Sequence, residues 1–357
     1  MKSLKILCSS DWHLDSPFEG LRASKAELMR NEQSILGEEL VALASRERVD
    51  LVLLSGDIFS SRCSCRETGE MLVRTLRGFS VPVFIAPGES DFYTPRCPYA
   101  ALRLPENVHV FSDSTVEGVE LVELGVKVYG AAYTENAVPT LEGFTAERKD
   151  GLRNILCIYG EHGLEMSGID FAALGGRHGL SGLKRVGDTL YLYSGCPQGR
   201  GFDECGERGV SIVELTEDGI MIESRPLSGR QYMTLEVDVT RTEPLIALHT
   251  SVPDDTLKDI YRITLTGECA AAPDLKMLYS SLSELFFELE LVDDTRLPRY
   301  IWEKAQEDSL RGVFLRKLQK RYELAEDAHE KRVIERSARW GLAALDGEKE
   351  VTQHEDK

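Results

Sequence analysis

The sequence predicts an α/β protein: a two-sheet sandwich flanked by helices, followed by a small α+β unit and C-terminal helices. Three observations carry this. Over about the first 225 residues, short apolar runs rich in β-formers alternate with segments of helical period. The early runs are almost wholly apolar, as strands covered on both faces are, whereas the later ones crowd together and suit antiparallel pairing. At 357 residues the chain is also too long for one small core.

The strand-like runs are Leu4–Cys8, Leu51–Leu54, Val81–Ala86, Val108–Phe111, Val126–Ala131, Ile155–Ile158, Leu190–Tyr193, Val210–Val213 and Ile220–Ile222. Helical spacing of apolar residues marks stretches near 24–46 and 66–78. The pattern breaks at Pro226-Leu-Ser-Gly-Arg230 and restarts at Tyr232. A strand (Met233–Val239), a helix near 243–249, a strand (Tyr261–Thr266), a helix near 274–285 and a last strand, Phe286–Val292, follow. Pro298 opens a helical segment in which Phe314, Leu318 and Tyr322 fall four apart on one face. The expected boundaries are 1–228, 229–298, 299–345 and a polar, disordered tail at 346–357.

Composition excludes several classes. With 42% hydrophobic and 29% charged residues the chain is an ordinary globular one. No apolar run approaches the roughly 18 residues of a spanning helix, and the start lacks a cleavage-site pattern, so a cytoplasmic protein is expected. The net charge of −18 argues against non-specific coating of nucleic acid. It leaves room for a nuclease, whose basic contacts are local and whose metal ions supply positive charge. Of the eight cysteines, Cys63 and Cys65 are the nearest pair, with no second pair to complete a zinc site; reduced thiols are expected.

Three strand ends share one design. The first leads into Ser10-Asp11-Trp12-His13, the second into Ser55-Gly56-Asp57, and the third into Pro87-Gly88-Glu89-Ser90-Asp91. In an open α/β sheet the loops after the strands' carboxyl ends form the ligand crevice. Asp11, His13, Asp57, Glu89 and Asp91 are therefore placed to converge. Carboxylates and imidazole without thiolates suit manganese, iron or zinc. Each motif alone reads as a turn or an exposed loop; their order on successive strand ends makes the combined signal.

With these motifs in place, the sequence resembles the calcineurin-like metallophosphoesterases, and more closely the SbcD-type DNA repair exonucleases of the YhaO-like branch. The carriers are Asp11-Trp-His-Leu-Asp-Ser-Pro-Phe-Glu-Gly-Leu21, Gly56-Asp-Ile-Phe59, Phe84-Ile-Ala-Pro-Gly88 and Ala173-Leu-Gly-Gly-Arg-His178. The run from Ser194 to Val210, Ser309-Leu-Arg-Gly-Val-Phe314 and Trp340-Gly-Leu-Ala-Ala-Leu-Asp-Gly347 extend the resemblance over nearly the whole chain. It implies a metallophosphoesterase domain, a capping domain and a helical docking segment for an SbcC-like coiled-coil ATPase. It also implies two divalent metal ions, with Mn²⁺ the expected ion, and homodimerisation.

By that resemblance Asp11, His13, Asp57 and His178 complete the first metal site. Asp57 bridges to a second ion, and Asp57 and Asp91 are the candidate catalytic carboxylates, with Asp91 in a loop-supporting role. The second site departs from the family pattern. Glu89 stands for an asparagine, Tyr159 for the strand-end histidine, Gly176 for the first histidine of Gly-His-x-His, and Ser90 for the proton-donating histidine. A phenol with a pKa near 10 is a poor ligand, and serine is no general acid at neutral pH. His162, three residues past Tyr159, is the one nearby imidazole.

The expected function is a metal-dependent DNA phosphodiester hydrolase of reduced activity, or a catalytically impaired scaffold for the ATPase. Candidate phosphate contacts are Arg177, Lys184, Arg185 and Arg200. The Phe314, Leu318 and Tyr322 stripe serves equally for docking a partner or for packing on its own domain.

Overall fold

The structure, a computed structural model, describes residues 3–61, 64–160 and 166–345; Cys63, His162 and the expected tail at 346–357 lie outside them. The chain divides into two compact units, Met1–Gln231 and Tyr232–Lys357.

The first unit runs β1 (Leu4–Ser9), α1 (Ala23–Glu47), β2 (Leu51–Leu54), α2 (Arg66–Gly78), β3 (Val83–Ile85), α3 (Pro98–Ala101), β4 (Val108–Val110), β5 (Glu117–Leu121) and β6 (Val126–Gly130). It continues with β7 (Arg153–Tyr159), β8 (Phe171–Gly175), β9 (Lys184–Val186), β10 (Thr189–Tyr193), β11 (Gly209–Leu215) and β12 (Ile220–Pro226). One sheet has the order β12-β11-β1-β2-β3-β4, the other β5-β6-β7-β8-β10-β9. The strands β1 to β4 are parallel, and β11 and β12 extend them antiparallel.

The antiparallel pairing expected of the later strands holds for β11 and β12, and the second sheet corrects it for its central strands. Its β6, β7, β8 and β10 are parallel, with antiparallel β5 and β9 only at the edges. Between β6 and β7 the segment 131–152 carries the chain back to the same end of the sheet, as parallel neighbours require. Three strands, β5, β8 and β9, lack the apolar β-branched run that marks the others: they read Glu-Gly-Val-Glu-Leu, Phe-Ala-Ala-Leu-Gly and Lys-Arg-Val.

The period-two alternation of strands builds two cores at once. Leu7, Val52, Leu54 and Ile85 face Leu40 of α1 and Leu72 of α2. Their neighbours Ile6, Cys8, Leu53 and Phe84 face Val128, Ile155, Cys157 and Ala173 of the other sheet. At the strand ends that carry the motifs, the Ser55 hydroxyl donates to the Ala173 carbonyl at 3.0 Å and so joins the two sheets.

The second unit opens as β13 (Tyr232–Asp238), α4 (Pro244–Ser251), β14 (Ile260–Thr266), α5 (Leu275–Leu282) and β15 (Glu288–Asp293), a three-stranded parallel sheet. Val237, Ile263 and Leu265 pack on Leu248 of α4 and Leu278 of α5. The chain then forms α6 (Arg299–Glu303), α7 (Leu310–Leu324) and α8 (Ala328–Leu345). Ser309 caps α7 by accepting from the Gly312 amide at 3.1 Å. Phe314 and Leu318 pack against Leu297, Ile301, Leu315 and Ala338, and Tyr322 lies 5.5 Å from the Trp302 ring. The stripe thus packs within its own unit.

The close approach of the sheets gives a stability test. A Cβ on Gly175 would lie 1.7 Å from the Ser55 carbonyl oxygen, a backbone atom with nowhere to retreat. Gly175→Ala is expected to cost about 3 kcal/mol, at the upper end for overpacking, and to lower the melting temperature by about 6–12 °C in calorimetry. Gly179→Ala, where a Cβ meets nothing within 4 Å, should melt close to the unaltered protein. Equal melting of all three would contradict the packing at this point.

Candidate metal centre

The loops after β1 and β2 are paired by backbone. The Asp11 amide donates to the Gly56 carbonyl, the His13 amide to Asp57 and the Leu14 amide to Ile58, at 2.9, 2.9 and 2.8 Å. This pairing holds Asp11, His13 and Asp57 at φ of 53°, 45° and 50°, left-handed values that side chains other than glycine's rarely take. The same arrangement turns all three side chains into one buried space: Asp11 is fully buried, His13 is 7% exposed and Asp57 2%.

His178 arrives from the loop after β8. Ligand atoms of Asp11, His13 and His178 lie within 4.8 Å of one another, close to the about 4 Å that two ligands of one ion span. The His178 Nδ1 contacts the Glu204 carboxylate at 2.7 Å, leaving Nε2 on the Asp11 side at 3.9 Å. The carboxylate raises the His178 pKa, through its hydrogen bond first and its charge second, while burial and the Arg200 guanidinium oppose it. Arg200 is itself bound to Glu204, and the Arg208 guanidinium donates to the His178 carbonyl at 2.7 Å.

Burial dominates the remaining electrostatics. It raises Asp11 to about 6, and raises Asp57 against three hydrogen bonds that lower it. His13 is pushed down to about 3, by burial first and then by Arg200 and His178. A neutral imidazole is the ligating form. Its Nε2 is buried without a hydrogen-bond partner among the described residues, 3.6 Å from Asp57 Oδ2. An orphaned acceptor beside two desolvated carboxylates is what a divalent cation would satisfy, so the donor set fits one ion.

Among the described residues, which leave out His162, a second ion finds no comparable set. The Ser90 amide and hydroxyl donate to Asp57 Oδ1 and Oδ2, each at 2.9 Å, and the Tyr159 hydroxyl donates to Oδ2 at 2.9 Å. Burial and the surrounding carboxylates drive the Tyr159 pKa far above the ordinary phenol value, so it keeps its proton and donates. Its ring also fills the room above Gly56 and Gly88, where an added Cβ would come within 2.5 and 2.8 Å of it. Glu89 is exposed and stands outside the cluster among the described residues. Gly176 contributes only its amide, which donates to both Asp11 oxygens at 3.2 Å.

Asp91 is fully buried and faces backbone. It accepts from the amides of Gly88, Ile58 and Phe59 at 2.7, 2.8 and 3.1 Å and from the Tyr99 hydroxyl. These bonds fasten the third motif loop to the second. Of the residues that hold His178, Glu204 and Arg208 carried no site role in the sequence reading, and Arg200 was expected only as a phosphate contact. Their signal is the four-residue spacing of opposite charges in the Gly-rich run after β10.

Two measurements check this assignment. Adding a divalent cation such as manganese is expected to raise the melting temperature at about pH 8. The shift should shrink as the pH falls, first as His178 takes its proton above the ordinary histidine value and then as Asp11 takes one near about 6. Glu204→Gln should weaken cation binding about 10–100-fold in calorimetric titration. It should also move the pH dependence back towards that of an ordinary histidine. A cation affinity unchanged by the substitution would remove Glu204 from the site.

Residues 4–178 match the family model of the calcineurin-like phosphoesterases. The chain is 26% identical over 279 residues to the uncharacterized metallophosphoesterase YhaO of Bacillus subtilis (strain 168), covering 71% of this chain and 68% of that one. Among solved structures it is similar to a single mutant of Vps29 from Entamoeba histolytica. That likeness has 15% identity, 63% coverage of this chain, 100% of the other and a TM-score of 0.29, which carries no argument here. The two-sheet architecture, the strand-end carboxylates and imidazoles, and the matched segment agree that this chain contains a calcineurin-like metallophosphoesterase domain, the domain of phosphoester hydrolases.

Proposed function

We propose that the chain is a metal-dependent phosphodiester hydrolase acting on DNA, of the SbcD/YhaO-like kind, working with one well-formed metal site. The observation that supports it most is the convergence of Asp11, His13 and His178 with the His13 Nε2 unpartnered. A cation held by these residues would polarise a phosphoryl oxygen and acidify a water.

The chain's own residues divide the remaining work. Asp11 and His13 present their donors from a rigid loop, and Glu204 fixes the tautomer and direction of His178. Asp57 adds negative charge beside His13, and Ser90 with Tyr159 keeps its carboxylate oriented. His13, held neutral down to about 3, has no proton to give a leaving group near neutral pH. Ser90 offers none either, so turnover should be slow for the fold. In this reading residues 229–298 act as the capping domain and 299–345 as the docking segment for an SbcC-like ATPase. Exposed Leu310, Val313 and Leu324 on α7 supply apolar surface for docking. Homodimerisation and a cytoplasmic setting belong to the same reading; no helix among the described residues is long and apolar enough to cross a membrane.

A second reading, a non-hydrolysing scaffold for the same ATPase, draws on the engagement of both Asp57 oxygens by Ser90 and Tyr159. Manganese-dependent cleavage of labelled single-stranded DNA separates the two. Cleavage is expected and should fall on the order of 10²-fold or more in Asp57→Asn, the effect of losing several kcal/mol of charge stabilisation. Cleavage no greater than the variant's, in protein that binds one ion per chain, would favour the scaffold.

A further inference from the structure

A cavity of about 770 Å³ lies between α2 and the Arg96–Arg103 stretch that contains α3. Five arginines line it, Arg66, Arg74, Arg77, Arg96 and Arg103, against a single acidic residue, Glu70. In a chain of net charge −18 this is a concentrated reversal of sign. Among the described residues only Arg66 is neutralised, by Glu70 at 2.8 Å. The side chains of Arg74, Arg77, Arg96 and Arg103 have no hydrogen bond or ion pair among the described residues. Clustered guanidinium groups repel one another, and their planar forks match phosphate oxygens.

The walls are fixed in place. Gly69 lets α2 come so close that an added Cβ would lie 3.0 Å from Leu102. The start of α2 is tied down by the Cys65 amide donating to Asp15 at 2.8 Å, two residues beyond His13. The opposite wall is held by Tyr99, which donates to the buried Asp91. The cavity is therefore framed by the same loops that carry the metal ligands, yet it shares no residue with them.

Apart from the paired Arg66, Arg74 and Arg77 stand on α2 and Arg96 and Arg103 on the opposite stretch, so the remaining charges are spread across the walls of a cavity of about 770 Å³. One phosphate cannot engage charges so far apart, whereas a chain of phosphates can. We propose that this cavity binds the phosphate backbone of a single-stranded polynucleotide, at a site separate from the metal centre. Of the contacts expected from sequence, Arg200 is committed to Glu204, and Arg177 lies over the Tyr193 ring at 4.6 Å. The cavity offers the larger unpaired positive charge.

The proposal rests on the phosphodiesterase reading only for its choice of ligand. The test is binding of a labelled single-stranded oligonucleotide to the full chain in a chelator, from about 50 to 200 mM salt. The triple substitution R74Q, R77Q and R103Q should weaken binding at least 10-fold at the low-salt end. It should also flatten the log–log salt slope by about 2, near 0.7 per lost contact on a single strand. The matching triple lysine variant should keep most of the slope, which separates charge from any fault in folding. Both glutamine and lysine variants should hydrolyse bis(4-nitrophenyl) phosphate like the unaltered chain. ATP at equal phosphate concentration should compete poorly; binding of ATP with none of the oligonucleotide would overturn the polynucleotide assignment. An unchanged affinity and slope in the glutamine variant would overturn the site. Arginine-dependent binding in a chain that cleaves nothing would sustain this proposal while the hydrolase reading fell.

Discussion

The site depends on one backbone constraint: the loops leaving β1 and β2 hydrogen-bond to each other as a pair of extended turns. That pairing forces Asp11, His13 and Asp57 into left-handed conformations, each costing about 1–3 kcal/mol. The cost is offset by three inter-loop hydrogen bonds and by the Asp91 carboxylate, which gathers three amides from two loops around itself. A straighter loop would relieve the strain and turn the donors out of the common space. Strain here and convergence there are one arrangement.

Asp57 shows how such a buried charge is kept tolerable. Removing a carboxylate from water without partners costs far more than a domain's net stability. The Ser90 amide, the Ser90 hydroxyl and the Tyr159 hydroxyl supply three donors. Tyr159 does two things at once, since its hydroxyl balances the carboxylate and its ring closes the space over Gly56 and Gly88. The positive charge that a second cation would bring to Asp57 is thus replaced by fixed dipoles. Asp11 also has donors, the Ser10 hydroxyl at 2.6 Å and the Gly176 amide, yet burial still raises it to about 6, and the His13 Nε2 keeps no hydrogen-bond partner among the described residues.

Much of this was legible in the sequence because local chemistry and tertiary role coincide. The run at Leu51 is apolar at every position and those at Leu4 and Val126 at every position but Lys5 and Lys127, and the structure packs their apolar residues on both faces. Asp11, His13 and Asp57 stand immediately after strands, where topology alone brings them together. Where the signals separate, the reading fails. The strand β8 delivers His178 but is written in alanine and glycine, because it packs tightly against the other sheet at Ser55. The edge strands β5 and β9 carry charged residues, as edges do. Phe314, Leu318 and Tyr322 share a face, but a helical period does not say which neighbour that face meets. The arginine cavity draws on residues from two separate stretches, 64–77 and 96–103, so no window of sequence shows it.

Strong overall acidity and a basic cavity are compatible for a reason of length scale. At physiological ionic strength charges are screened beyond about 8 Å, so an approaching strand responds to the groups near it and not to the total of −18. Around most of the surface that means repulsion, and loose attachment anywhere along the chain is disfavoured. Within the cavity, four guanidinium groups without partners among the described residues act together at short range. An acidic exterior with one focused basic site holds down non-specific affinity while leaving the local contact intact. The specificity ratio rises without any strengthening of the contact itself. Asp15, in the loop of His13, anchors one wall of that cavity, and Asp91, which binds the loop of Asp57, anchors the other, so the cavity and the metal loops are held by the same contacts.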